Sequence, residues 1–480
     1  MTRRNGEHGG VLGAALVVAS ALLLTACGGS EPAAEGRSLV LITMDTTRTD
    51  HLGAFGRTDS PTPTIDALAA DGVRFTRAYA PMGQTLPSHA TMFTGQGPRS
   101  HGALENFYPL PEGAHTLAER LADRGYETVG VIGALVLAED SGIAQGFGVW
   151  DQPSGQWKTD QGHPPERPAA QVTDGALAWA LRRESDGPYF LWVHYYDPHG
   201  PYEPPGHFRP SISREAVSTM VTEASMQGAF SQADAPLTKI AETWFNYAAE
   251  LEYTDAQVGR LLEGLRARGM LDDAVVAVAS DHGEGLYEHG HKGHGVNLFE
   301  ELMHVPLIVT APDGELSGTV VDQPVQLQDL LPTLLTAVGQ QAPEDVEGHD
   351  LWSAAREGRA PPRQPIFIER PHYNEQRLDK HNPRGRPREH EHGVVVAVIA
   401  DGHKLVRQVD GSVQLFDLAT DPAERDDLSG LDPERTTLLG GLLDDYERRF
   451  QVAEPGSGES VSPERAESLN QLGYGGGEGR

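Results

Sequence analysis

The sequence predicts an α/β fold: a mostly parallel central sheet sandwiched between helices, followed by a small C-terminal antiparallel sheet and helix. Three observations predict it. Short aliphatic and β-branched runs recur at 38–43 (SLVLIT), 127–132 (ETVGVI), 189–194 (YFLWVH), 274–279 (AVVAVA) and 305–310 (VPLIVT). They are continuous rather than alternating, as expected of strands covered on both faces. Helical patterns lie between them at 64–70, 116–124, 172–183 and 241–268, the last closed by Gly269. Such strand–helix alternation is the pattern of an α/β sandwich. Beyond residue 361 the character changes. Short strands at 394–400, 404–408 and 413–417 are joined by Asp401-Gly402 and Asp410-Gly411, dipeptides that favour hairpins, and a helix follows at 434–449.

These elements divide the chain. Residues 38–360 form the large domain, 361–451 a small α+β subdomain, and 452–480 a Gly- and Ser-rich tail. Within the subdomain, 370–393 is polar and proline-bearing and reads as a loop. The 480 residues, 38% hydrophobic and 22% charged, have an ordinary globular composition able to bury a large core. The formal net charge of −31 argues against nucleic acid or an anionic membrane surface as partner, since no broad basic face is left to neutralise phosphates.

The N-terminus reads as an export signal. Arg3 and Arg4 precede an apolar run, VLGAALVVASALLL, too short to span a bilayer comfortably. LTAC follows, ending at Cys27, and resembles a bacterial lipobox in which the cysteine becomes the lipidated first residue. Residues 1–26 are then a signal peptide and 27–37 a tether. The expected location is the bacterial cell envelope, with Cys27 anchoring the chain in lipid. Cys27 is the sole cysteine, so no disulfide framework and no catalytic thiol remain.

Two of the predicted strands run into acids. The first gives Thr43-Met44-Asp45, the fourth Ser280-Asp281-His282-Gly283-Glu284. In open α/β sheets sites form outside the carboxyl ends of strands, so Asp45, Asp281 and His282 are expected to converge. Two carboxylates and an imidazole are costly to bury together unless a cation neutralises them, and a divalent metal is the natural solution. A second candidate stretch is QTLPSHATMFTG, from Gln84 to Gly95. Pro87 suits a first helical turn, which predicts a helix over 88–94 with Thr85 just before it. Two readings stay open there. Thr85 or Ser88 caps the helix, or the Thr85 hydroxyl, at a helix N-terminus and touching the metal, is a nucleophile.

In order along the chain, LVLITMDTTRTDHLGAFG, PTPTIDALAADGVRFTRAYAP, TLPSHATMFTG, WVHYYDPHGPYEPP, SDHGEGLYEHGHKGHG, LFEELMHVPLIV, LFDLATDPAERDDL and LNQLGYGGGE resemble the sulfatase family of the alkaline phosphatase superfamily. The resemblance implies that family's sandwich fold, with its small C-terminal sheet, and a metal-dependent ester hydrolase acting on an anionic ester. It places Thr85 at the position where the family's Cys or Ser becomes formylglycine. Threonine cannot give formylglycine, because its Cβ already carries a methyl group. It is the nucleophile in relatives that handle phosphoesters. The implied metal set is Asp45, Thr85, Asp281 and His282 around one divalent ion. Mixed carboxylate and imidazole ligation points to zinc or manganese, with calcium the further option.

Other departures accompany the threonine. The family's Asp-Asp pair is Asp45-Thr46 here, its arginine is His89, and its Lys and His after the next strand fall on Gly133-Ala134-Leu135-Val136. The resemblance leaves His199, His294 and Lys292 as catalytic candidates, holding non-bridging oxygens or protonating a leaving group, within a basic cluster that also includes His289 and His291. Asp197 with His199 is an alternative nucleus for a second metal. Arg48 is either an anion contact or a partner of Asp45 or Asp50. Glu284 and Glu288 are expected behind the site or at the surface, and the irregular insertion at 204–238 beside the substrate. Two other functions compete with hydrolysis of sulfuric or phosphoric esters: a surface phospho-group transferase, and a binding lipoprotein that has lost its chemistry.

Overall fold

The computed structural model describes residues 36–58, 62–106, 108–153, 166–230, 235–370 and 394–451. The predicted signal peptide, most of the tether, the 371–393 loop and the tail lie outside them. No described helix is long and apolar enough to cross a membrane.

The strands in chain order are β1 (Ser38–Met44), β2 (Val73–Tyr79), β3 (Glu127–Ile132), β4 (Val149–Asp151), β5 (Tyr189–Tyr195), β6 (Ala274–Ala279), β7 (Gly285–Leu286), β8 (Lys292–Gly293), β9 (His304–Thr310), β10 (Thr319–Val321), β11 (Val325–Gln326), β12 (Ile366–Arg370), β13 (Val395–Ala400), β14 (His403–Arg407) and β15 (Val413–Asp417). The central sheet runs β10–β2–β9–β6–β1–β5–β3–β4, with β11 also on β2. β1 pairs in parallel with both β5 and β6, which makes it the central strand. β9 runs antiparallel to both its neighbours, the exception in an otherwise parallel sheet.

The continuous apolar runs have the predicted cause. In β1, Leu39 and Leu41 face one core layer, while Val40, Ile42 and Met44 face the other. Each such side chain contributes roughly 1.5–3 kcal/mol on full burial. The 30-residue helix Leu237–Arg266 and the helix Ala169–Arg182 pack on the second layer, and Gly269 turns the chain out of the long helix with a φ of +68°.

In the C-terminal sheet β12–β13–β14–β15, every pairing is antiparallel. Asp401 and Gly402, at φ of 48° and 77°, make the tight β13–β14 turn that their sequence predicts. One face packs Ile366, Ile368, Ala397 and Phe416 against Tyr79, Leu302 and Met303 of the large unit, and the other packs on Leu439 and Leu443 of the helix Pro433–Arg449.

A polar knot lies in the first of these seams. Lys404 is fully buried on β14, its Nζ 3.1 Å from Glu300 Oε1 and 3.0 Å from Glu424 Oε1, and Tyr79 donates to Glu300 at 3.2 Å. Removing the ammonium strands the buried Glu424 carboxylate and the half-buried Glu300. We expect Lys404→Ala to cost about 3–5 kcal/mol, read as a fall in the urea midpoint at unchanged slope.

Candidate active site

Because β1 lies between β5 and β6, the carboxyl ends of these three strands are adjacent. Thr43 pairs with His194 on one side and Ala279 on the other. The residues just beyond, Asp45 and Asp281-His282, therefore meet, as the strand ends predict. Their ligand atoms Asp45 Oδ, Asp281 Oδ and His282 Nε2 all lie within 4.8 Å of one another, and all three residues are fully buried. His282 Nε2 is 3.4 Å from Asp281 Oδ2 and 3.9 Å from Asp45 Oδ1.

The backbone aims these groups. Asp281 Oδ1 accepts from the amides of Thr46 (3.2 Å) and His282 (2.9 Å), which leaves Oδ2 pointing inward. Thr46 sits in the left-handed region at a φ of 50° to make this contact. His282 Nδ1 donates to the Gly283 carbonyl at 3.0 Å, so Nε2 presents its lone pair to the carboxylates. Both Asp45 oxygens, Asp281 Oδ2, His282 Nε2 and Thr85 Oγ1 are buried with no hydrogen-bond partner. Burial first, then the charges of Asp281, Glu166 and Glu284, push the Asp45 carboxyl well above its usual range, and burial raises Asp281 as well. A divalent cation reverses both shifts, and this oxygen–nitrogen donor set fits one.

Thr85 is the first residue of the helix Thr85–Thr94, one turn earlier than predicted, with Pro87 still in the first turn. It caps nothing. Ser88 Oγ donates to the Met82 carbonyl at 2.8 Å, and the Leu86 amide is taken by Asn106 Oδ1 at 2.9 Å. The capping alternative therefore fails for both hydroxyls, and Thr85 Oγ1 is left uncommitted. His89 Nδ1 ties Thr85 to the acids: it donates to the Thr85 carbonyl at 2.8 Å and lies 3.8 Å from Asp281 Oδ2.

The remaining candidates divide. His294 stacks on His282, ring centroids 4.3 Å apart, donates from Nδ1 to the Gly83 carbonyl at 3.0 Å, and meets His199 Nε2 at 3.1 Å through its own Nε2. These two imidazoles thus stand beside the acid triad as expected. Lys292 does not join them. It is on the exposed β8 hairpin, its Nζ 5.2 Å from the Tyr202 ring centre, near the Glu284 carboxylate.

Three further charged residues are engaged by other groups. Asp197 accepts from the Ala169 amide at 2.8 Å, starting a helix rather than holding an ion with His199. Of the two readings of Arg48, the pairing with Asp50 holds (2.7 Å), and Glu288 joins it at 2.9 Å. His289 is spent on Glu301 (2.9 Å) and the Ala423 carbonyl (3.1 Å), away from the triad. Glu284 is buried, and burial lifts its carboxyl to about 8. The insertion packs its helix Arg214–Met226 against the long helix through Val217, Val221, Ile240 and Phe245.

Sequence reasoning gave no role to four participants: Asn106, whose Nδ2 is buried without a partner beside the helix start, and Thr43, His89 and His194, which interlock beneath the triad. An apolar run with one Thr or His reads as core, so only His89, standing where the resembling family has arginine, carried a signal.

A sandwich of this order, with acids ending two central strands beside a hydroxyl at a helix N-terminus, defines an ester hydrolase of the alkaline phosphatase superfamily. The family model described as Sulfatase matches residues 37–340, and the chain belongs to the sulfatase family. It is 24% identical over 453 residues to the uncharacterized sulfatase YidJ of Escherichia coli K12, covering 85% of this chain and 86% of that one. It is 23% identical over 536 residues to an N-acetylglucosamine-6-O-sulfatase of Bacteroides thetaiotaomicron, covering 93% and 92%. Among solved structures, the phosphonate monoester hydrolase of Agrobacterium radiobacter superposes with a TM-score of 0.68 at 21% identity, covering 87% of this chain and 96% of that one.

If the triad holds a cation, purified protein contains about one equivalent of a divalent metal, and Asp281→Ala loses it. Elemental analysis of both proteins after dialysis reads this directly. Equal metal content in the two would overturn the assignment.

Proposed function

We propose that the protein is a metal-dependent hydrolase of anionic esters in which Thr85 is the nucleophile, and that phosphoesters or phosphonates are cleaved in preference to sulfate esters. The observation that carries this is Thr85 Oγ1, buried at a helix N-terminus with nothing to bond to, on a residue that His89 links to Asp281 of the triad. Asp45, Asp281, His282 and the Thr85 hydroxyl would hold the ion, zinc or manganese by their chemistry. When bound, it lowers the hydroxyl pKa and neutralises the charge that develops in the transition state.

The chain's own residues supply the rest. The Thr85 oxygen loses its proton and attacks phosphorus, and the bond to the leaving-group oxygen breaks, giving an alcohol once that oxygen is protonated. Asn106 Nδ2 offers a donor to a non-bridging oxygen. His199 and His294 are placed to hold the leaving group and move its proton. Water then cleaves the Thr85 ester and restores the hydroxyl.

The sulfate preference expected of a formylglycine enzyme does not carry over. A formylglycine hydrate sheds sulfate by reopening its aldehyde, and threonine has no such exit. Sulfated threonine would need direct attack at sulfur, the harder step. The likeness in fold to a phosphonate monoester hydrolase accords with this reading.

Thr85→Ala should lose at least roughly 10³-fold in turnover while folding normally, at a cost of about 1 kcal/mol or less. In wild type, kcat/KM for aryl phosphate or phosphonate should exceed that for aryl sulfate. A clear preference for aryl sulfate with an unmodified threonine at position 85 would sink the proposed chemistry.

The same reading places the enzyme outside the cytoplasm, tethered through an acylated Cys27 to the bacterial envelope, because LTAC follows a short apolar run. Mass spectrometry of the mature N-terminus should find diacyl- or triacyl-cysteine at position 27. An intact chain starting at Met1 would refute the anchor.

A further inference from the structure

Beneath the triad, one hydroxyl gathers three nitrogens. Thr43 Oγ1, fully buried at the end of β1, lies 2.9 Å from Trp192 Nε1, 3.1 Å from His89 Nε2 and 3.0 Å from His194 Nδ1. All three partners are buried. The two imidazoles lead in different directions. His89 continues through Nδ1 to the Thr85 carbonyl at 2.8 Å. His194 continues through Nε2, which has no hydrogen-bond partner and stands 3.7 Å from Asp45 Oδ2. Among the described residues, His194 is not one of the tight group of ligand atoms, so its approach to the site runs through Asp45.

We propose that Thr43 is a positioning residue: its single hydroxyl proton ties the hydrogen-bond polarity of His89 to that of His194, which anchors the Thr85 backbone through His89 and keeps His194 from donating to Asp45. The argument is a count of donors. A hydroxyl has one proton and two lone pairs. Indole N–H only donates, so Trp192 occupies one lone pair. One proton and one lone pair remain for two ring nitrogens. Whichever ring accepts from Thr43, the other must donate to it.

The Thr85 end decides which. A carbonyl only accepts, so His89 carries its proton on Nδ1, and a neutral His89 presents a bare Nε2 that takes the Thr43 proton. His194 must then donate from Nδ1, leaving its Nε2 as a lone pair beside Asp45. In that tautomer His194 offers Asp45 no hydrogen bond, which leaves both Asp45 oxygens free for a cation. The rigid unit spans β1, β5 and the Thr85 helix, so a displacement of the nucleophile's backbone is resisted by the strand that carries Asp45. Loss of the hydroxyl would take from three buried nitrogens the partner they share.

This proposal rests on the reading of Thr85 and Asp45 as nucleophile and metal carboxylate, but its test reads tautomers and metal affinity, which do not depend on the substrate. Full-length protein selectively labelled with 15N-histidine and loaded with zinc would be compared as wild type, Thr43→Val and Thr43→Ser. In wild type, long-range 1H–15N spectra should assign the Nδ1–H form to both His89 and His194. Thr43→Val, an isostere without the hydroxyl, should lose the fixed His194 tautomer, bind zinc about 10–100-fold more weakly in a chelator competition, and lose a similar factor in kcat with KM within about threefold. Thr43→Ser should restore all three to within about threefold. An Nε2–H form of His194 in wild type overturns the proposal outright, whether or not the valine variant folds. Equal damage from serine and valine overturns it too, because the methyl group's packing would then be responsible. Inactivity of wild type on every ester, or full activity of Thr85→Ala, would instead count against the functional reading and leave the tautomer result standing.

Discussion

Everything in this molecule depends on one electrostatic constraint: two carboxylates and an imidazole are held within 4.8 Å of each other with no exposure to water. In that setting two like charges cannot both persist without a cation, because desolvation and mutual repulsion each favour the neutral acids. The structure accepts this cost at the ends of the central strands. The parallel β5–β1–β6 core fixes the separation, the Thr46 and His282 amides fix the rotamer of Asp281, and the Gly283 carbonyl fixes the tautomer of His282. Rotational freedom that would let the acids swing apart is removed before any ligand arrives, which is the preorganisation that a reactive site requires.

The same constraint explains what surrounds Thr85. A helix whose every residue is buried presents its first turn to the triad, and its polar side chains are each given work except one. Ser88, His89, Thr91 and Thr94 bond to Met82, Thr43, His101 and Ala90, while Thr85 is left bare. In an interior where buried polar atoms are normally satisfied, such an exception marks a place where a partner is supplied from outside.

Much of this was legible in the sequence because burial on both faces writes itself as unbroken aliphatic runs, and because Asp45 and Asp-His-Gly-Glu interrupt two such runs at their ends. β9 was legible as a strand but not in its direction, since nothing in VPLIVT distinguishes antiparallel from parallel pairing. β2, VRFTRAY, was not recognised. Its arginines break the apolar run, and the sheet accommodates them because Arg74 and Arg77 lie near its less buried edge beside β10. For the site, the partners of His289, Arg48 and Asp197 could not be chosen from sequence for one reason. Charged residues clustered in sequence satisfy one another or nearby backbone in space, and only the coordinates show that Glu301, Asp50 and the Ala169 amide have already claimed them. His194 and Thr43 were illegible for the opposite reason: a lone polar residue in an apolar strand has no sequence context that distinguishes a satisfied core residue from a hub.

The net charge of −31 and a preference for anionic esters are opposed only if charge acts at long range. At physiological salt the screening length is about 8 Å, so carboxylates spread over the surface of a 480-residue protein contribute little at the buried triad. What an incoming anion meets there is local: the positive end of the Thr85 helix, the free amide of Asn106, two imidazoles, and whatever positive charge the triad binds. Surface repulsion should therefore lower the rate of encounter at low ionic strength more than it weakens the bound complex. Raising salt from about 10 mM to 150 mM, which shortens the screening length from roughly 30 Å to 8 Å, should increase kcat/KM for a small dianionic ester while leaving kcat nearly constant. A fall in kcat/KM over that range would mean that the long-range field at the cleft mouth is positive, and that the acidic residues are segregated to the opposite side of the molecule.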